Sequence, residues 1–158
     1  MKNMYEKPAP AGYHTLTAAL TVRDGKAAVE FYQRAFGATV RHVMEMPNGK
    51  VMHAELQIGD SVIMLSDEFP DYGALSPLAL GGSGSSLNVY VDDVDAVFAQ
   101  AVAAGASVTR PVADQFWGDR TGYLSDPFGH KWSVATRTEE VSPEEIARRG
   151  EQWSKSTE

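Results

Sequence analysis

His53 and Glu55 stand two positions apart in the run KVMHAELQI, residues 50–58. Side chains of a strand alternate between its faces, so these two share one. Val51, His53, Glu55 and Gln57 make up that face; Met52, Ala54, Leu56 and Ile58 make an apolar face suited to meet a helix. Asn48-Gly49, just ahead, predicts a two-residue type I′ hairpin turn. Counting back across that turn pairs Met44 with His53 and His42 with Glu55. Two imidazoles and a carboxylate would then lie together, and such a set holds a metal or serves as acid and base. The same residues also make a His–Glu hydrogen bond that supports the sheet or a dimer seam, and this is the favoured reading. If the protein catalyses a reaction, His53 and Glu55 are its catalytic pair.

A second constellation is Gln115-Phe116-Trp117-Gly118-Asp119-Arg120. Phe116 and Trp117 can stack on a flat ligand, and Arg120 can pair a carboxylate or phosphate. Alternatively Arg120 pairs Asp119 or Asp126 and Trp117 is core. Asn88 and Tyr90 share a strand face with Ser86 and can donate hydrogen bonds to a ligand. His130 reads as a turn residue. No nucleophile elbow, phosphate loop or carboxylate dyad is present. Asp92-Asp93 opens a helix and complements its dipole.

Composition narrows the classes. The 158 residues carry a net charge of -7, which speaks against nucleic acid as the main partner. There is no cysteine, so disulfides, thiolate metal sites and a cysteine nucleophile are excluded. No stretch has the length and apolarity of a membrane span, and residues 1–12 lack the apolar core of a signal peptide. The expectation is a soluble, cytoplasmic protein.

The elements that must position these residues recur in two halves. Residues 13–22 read as a strand, and Asp24 caps a helix over KAAVEFYQRAF that Gly37 stops. Strands follow at 38–46, 50–58 and 61–66. A Pro- and Gly-rich linker covers about 67–85. The second half repeats the plan: a strand at 86–91, a helix from Asp92 to Ala104 stopped by Gly105, then three more strands ending at 130–136. AFGATV at 35–40 and AAGASV at 103–108 support a duplicated module. Ser142-Pro143-Glu144-Glu145 opens a tail helix over about 142–153, which is expected to pack on a surface, that of a second subunit included.

DGKAAVEFYQRAFGA at 24–38, DDVDAVFAQAVAAGA at 92–106 and DPFGHKWSVAT at 126–136 together resemble the vicinal-oxygen-chelate superfamily of glyoxalases, bleomycin-resistance proteins and dioxygenases. HAEL at 53–56, DQFWGDRTGYLSDPFGHKW at 114–132 and EEVSPEEI at 139–146 resemble its PhnB-like branch. The resemblance implies a single α+β domain over 1–158. Two tandem βαβββ modules, about 13–66 and 86–137, would form a cupped mixed sheet with helices on its convex side. In metal-dependent members, His, Glu or Gln from the first and last strand of each module hold a divalent ion. The matching positions here are Thr17, Met64, Ser86 (or Ser85) and Ser133, all poor ligands. The resemblance therefore implies no cofactor, and a homodimer that binds a small organic molecule, as drug-sequestering relatives do. The alternative is a lyase, isomerase or dioxygenase-like enzyme using His53 and Glu55, with or without a non-standard metal. In the binding reading Thr17, His42, Met64, Ser86, Asn88, Tyr90, Phe116, Trp117, Arg120 and Ser133 line the ligand site.

Overall fold

Asp24 ends a strand and starts a helix. Its carboxylate accepts the Ala27 amide at 3.0 Å, so the chain turns from β1 (Ala18–Val22) into α1 (Gly25–Phe36). Gly37, at φ 64, closes the helix by donating to the Gln33 carbonyl, and the Ala38 amide donates to that of Tyr32. In this computed structural model, which describes residues 4–157, the strands β2 (Thr39–Glu45), β3 (Val51–Ile58) and β4 (Ser61–Asp67) follow. The sheet order is β1-β4-β3-β2, with β1 parallel to β4 and the other pairs antiparallel. Ala28, Phe31, Tyr32 and Ala35 of α1 are buried, as are Leu20, Val22, Ala54, Leu56, Ile63 and Leu65 of the sheet. Asp67, 6% exposed, ties helix to sheet by accepting the Gly25 amide at 3.0 Å and the Val51 amide at 2.6 Å.

The chain then makes a 3-10 turn at Pro70–Tyr72 and the single-turn helix α2 (Pro77–Leu80). Glu68 anchors this segment by accepting the amide and hydroxyl of Ser76. The contacts divide the chain into two compact units between Ser83 and Gly84.

The second unit repeats the first. Asp93 caps α3 (Val94–Ala104) at the amide of Ala96, after β5 (Ser86–Tyr90). Next come β6 (Ser107–Asp114), β7 (Asp119–Ser125) and β8 (Lys131–Arg137), in the order β5-β8-β7-β6. Val94, Phe98 and Ala101 of α3 are buried, as are Leu124, Trp132 and Val134 of the sheet. The fold is thus α+β, with two four-stranded mixed sheets and a C-terminal helix, α4 (Pro143–Ser156).

Three local expectations change. Residues 13–17 are not strand: the Tyr13 amide turns back to the Pro10 carbonyl at 3.0 Å, and β1 begins at Ala18. The hairpin at Asn48-Gly49 is not type I′, because only Gly49 has positive φ. Gly49 donates to the Met46 carbonyl, and Met46 to that of Lys50, which makes a three-residue loop closed by a glycine bulge. A second irregularity follows, where Glu45 pairs Val51 but Met44 pairs His53. Met52 is the extra residue. Val51 is consequently buried in the core and Met52 is 54% exposed, the reverse of simple alternation. The loop and the bulge each displace the register by one residue, in opposite senses. Met44 still meets His53, and His42 still meets Glu55.

Helix α4 packs on its own unit. Trp153 lies 6.1 Å from the Phe116 ring, and Arg149 donates to the Phe116 carbonyl and to both oxygens of Glu139. Arg148 and Arg149 beside Glu145 hold its carboxyl down at about 2, from an ordinary 4.5. Arg149 also holds Glu139 low. Both carboxyls are depressed in the folded state, so their contribution is complete above about pH 4.5. The Glu145 part is lost as pH falls through its folded value near 2. The near-UV signal of Trp153 against Phe116 should therefore persist to about pH 4.5 and fade between there and pH 2. Release of the helix above pH 5 would contradict these ion pairs.

Candidate functional site

On each sheet one row of residues crosses the face turned away from the helix. In the first unit the row runs Ala19–Met64–Glu55–His42. His53, on the same face as Glu55, meets it with Nε2 3.1 Å from the carboxylate. The side chains are 36% and 23% exposed, so a solute can reach the pair. An ionised carboxylate needs a donor, which places the proton on Nε2 and leaves the Nδ1 lone pair free as a base.

Tyr13, which the sequence reading assigned to a strand, completes this cluster. Its hydroxyl is shut off from water next to Glu55, without a partner at good hydrogen-bond geometry. That proximity holds the Glu55 carboxyl low, with His53 adding to the effect, and pushes the Tyr13 phenol up. Arg41 fixes the arm: it stacks 5.1 Å from the Tyr13 ring centroid and donates to the carbonyls of Ala11 and Gly12. Pro-Ala-Gly at 10–12 was the one sequence signal for this turn.

In the second unit the equivalent row is Asn88–Ser133–Tyr123–Arg110. The Ser133 hydroxyl donates to the Asn88 side-chain oxygen at 2.5 Å. Further along, Asp119 is only 4% exposed and receives three donors: Tyr90 Oη at 2.9 Å, Trp117 Nε1 at 3.2 Å and Arg137 Nε at 2.6 Å. Tyr90 and Arg137 also line a hollow with Val91, Asp92 and Thr136.

The remaining candidates fall into place. Ser86 shares a face with Asn88 and is exposed; Thr17 sits half-buried just ahead of β1, and Met64 is half-buried. His42 is exposed opposite Glu55, yet among the described residues no three His, Asp or Glu side chains converge as a metal site. Phe116 contacts Trp117, Trp153 and Gly150, which places it under α4. Trp117 is half-buried, with its indole N–H committed to Asp119. Arg120 is the clear departure. It grips both carboxylate oxygens of Asp95 on α3 at 2.9 Å and reaches Asp114, so it stands on the helix side of β7. Neither Asp119 nor Asp126 is its partner; Asp126 instead takes the Trp132 indole and the amides of Phe128 and His130.

The sequence profile of the Glyoxalase/Bleomycin resistance protein/Dioxygenase superfamily matches residues 14–134, which spans both rows. The chain belongs to this superfamily. It is 40% identical to Mb0911c of Mycobacterium bovis over 134 residues, 83% of this chain and 88% of that protein. Among solved structures it is similar to PA1353 from Pseudomonas aeruginosa, with a TM-score of 0.65 and 26% identity. That match covers 80% of this chain and 99% of the other. The PhnB protein from Bacillus cereus, at 19% identity and a TM-score of 0.61, shares the fold over 78% of this chain and 99% of its own.

Metal-dependent members of the glyoxalase superfamily imply a divalent ion, and the residues here do not fit one. By resemblance, the positions that would match those ligands offer the Thr17 hydroxyl, the Met64 thioether and the Ser86 and Ser133 hydroxyls. Neutral hydroxyls are weak ligands for hard cations and a thioether is a soft one. No helix of the described residues is long and apolar enough to cross a membrane.

Proposed function

We propose that this protein is a metal-independent member of its superfamily that binds, and thereby sequesters, a small organic molecule. It works as a cytoplasmic homodimer. The support for this reading is that, by the family resemblance, Thr17, Met64, Ser86 and Ser133 are the positions matched to charged or imidazole ligands. Hydroxyls, an amide and aromatics on the helix-free faces suit an organic guest, which needs a few directed hydrogen bonds among apolar contacts.

The test is metal analysis of the purified protein, with thermal shift over divalent ions, a chelator and a small-molecule library. Chelation should leave Tm unchanged, and at least one organic compound should raise it by mass action. A stoichiometric divalent ion whose stabilisation disappears in Met64→Ala or Ser133→Ala would overturn the reading. Sedimentation should give a dimer.

A second reading rests on the His53–Glu55 bond and the half-exposed imidazole. Glu55 would orient His53, whose Nδ1 would take a proton from the substrate. His53→Ala separates the two: loss of turnover with unchanged Tm supports catalysis, and loss of Tm alone supports a purely structural bond.

A further inference from the structure

We infer that residues 10–17 form a releasable strap on the first unit, latched by Tyr13 and Arg41, whose lifting frees one side of Glu55. The strap lies against the pair behind the catalytic reading, and it does so whichever function holds.

The strap buries little. From Met4 to Leu16, Tyr13 alone is withdrawn from solvent, and Leu16 is 89% exposed. The backbone turns on itself, from the Tyr13 amide to the Pro10 carbonyl, before β1 begins at Ala18. A segment with so little buried surface opens at a fraction of the cost of global unfolding.

Two side chains make the latch. Arg41, on the edge strand β2, reaches the Ala11 carbonyl at 3.2 Å and the Gly12 carbonyl at 3.5 Å. Its guanidinium also stands 5.1 Å from the Tyr13 ring centroid. Gly12 permits that approach, since a Cβ there would lie 2.8 Å from Arg41 Nη1. Beyond the ring, the Tyr13 hydroxyl is shut off from water beside Glu55, without a partner at good geometry. A buried hydroxyl in that state regains hydrogen bonds on returning to water, so the closed latch is weaker than a well-formed bond would make it. While the strap is closed, the Glu55 carboxylate faces both Tyr13 and His53, the latter at 3.1 Å. Once the strap lifts, Glu55 keeps His53 and its other side is open to any solute. The strap thus sets how much of the carboxylate is available.

The test is thermolysin digestion at Leu16 together with carbodiimide coupling of an amine to Glu55, both read by peptide mass spectrometry on the full chain. A protease needs several residues straightened around its cut, so cleavage at Leu16 reports lifting of Tyr13, at a rate set by the open population. The wild type should be cut there while both sheets stay folded. Tyr13→Ala and Arg41→Met should raise that cleavage at least about tenfold with Tm nearly unchanged, and Glu55 coupling should rise with it. Arg41→Lys keeps the charge near Glu55 but loses the fork on the two carbonyls, so it should raise both readouts by an intermediate amount. Wild-type cleavage at Leu16 only where the sheets unfold would overturn the inference. So would faster cleavage in the variants with Glu55 coupling unchanged. A Tm loss in Tyr13→Ala and Arg41→Met large enough to account for the faster cleavage would do the same, because the arm would then belong to the cooperative core.

Discussion

Asp119→Ala should lower stability by about 2–4 kcal/mol, read as a Tm drop of roughly 5–15 °C. Asp119 is almost fully buried at the start of β7, and it is the shared acceptor of Tyr90, Trp117 and Arg137. Hydrogen bonds to an ionised acceptor contribute about 1.5–3 kcal/mol each, but three on one carboxylate do not add. Tyr90 is 58% exposed and can turn to water, so the loss is less than three times a single bond. The Trp117 indole is half-buried and has fewer alternatives. Asp119→Asn should rescue little, because its amide group brings two donors among three that already point inward. Arg137→Met should also destabilise, since it leaves a buried carboxylate without its cation. The double variant Asp119→Ala, Arg137→Met should then be less harmful than the sum of the two. Strict additivity in that cycle would show that the carboxylate and the guanidinium act separately.

The parts of this molecule that were legible in the sequence are those governed by local rules. Asp24 and Asp93 cap helices, and Gly37 and Gly105 end them, because amide and carbonyl groups at helix ends must be satisfied within a few residues. The repeated order of strand and helix followed from the same signals. The pairing of His42 with Glu55 was also legible, though through a type I′ turn that does not exist. A bulge at Met52 restored the register that the longer loop had shifted. Residues whose roles depend on distant partners were not legible. Arg120 went to the helix side because Asp95 lies 25 residues earlier in the chain but above the same point of the sheet. Tyr13 reached Glu55 only because the arm folds back under Arg41. Asp119 looked like one acid among several in a loop, and nothing local announces that three donors converge on it.

The same distinction bears on the candidate chemistry. Parity along a strand places His53, Glu55, Asn88, Tyr90 and Ser133 on helix-free faces, and the ladders agree. Whether those faces carry charge depends on pairings that no periodicity encodes. In the first unit Arg41 is spent on the arm's carbonyls. In the second, Arg137 is spent on Asp119 and Arg110 is held against Tyr123 with its edge open. A chain with net charge -7 can therefore still present, on one of these faces, a guanidinium without a carboxylate partner among the described residues.

Gly118→Ala should cost about 2–4 kcal/mol and release the tail from residue 138 onward. Two independent effects act at this position. Its φ of 98° lies where an L side chain is strained. A Cβ there would stand 2.4 Å from the Glu139 carbonyl oxygen and 2.9 Å from the Val141 side chain. The first contact is with backbone, so no rotamer change relieves it. The Gly118 carbonyl also accepts the amides of Thr138 and Glu139 and the Thr138 hydroxyl, which means the tail is laid directly across this residue. Moving the tail to admit a methyl group breaks those bonds. It also withdraws Arg149 from the Phe116 carbonyl. The expected readout is a lower Tm together with faster proteolysis near residues 138–142, while the circular dichroism of the two sheets is retained. Gly150→Ala is the control on the same interface: its Cβ would meet Phe116 at 3.5 Å, an ordinary contact. Alanine is also the better helix former, so that variant should be neutral or slightly stabilising. If both variants behaved alike, the close approach at Gly118 would not be what holds α4 in place.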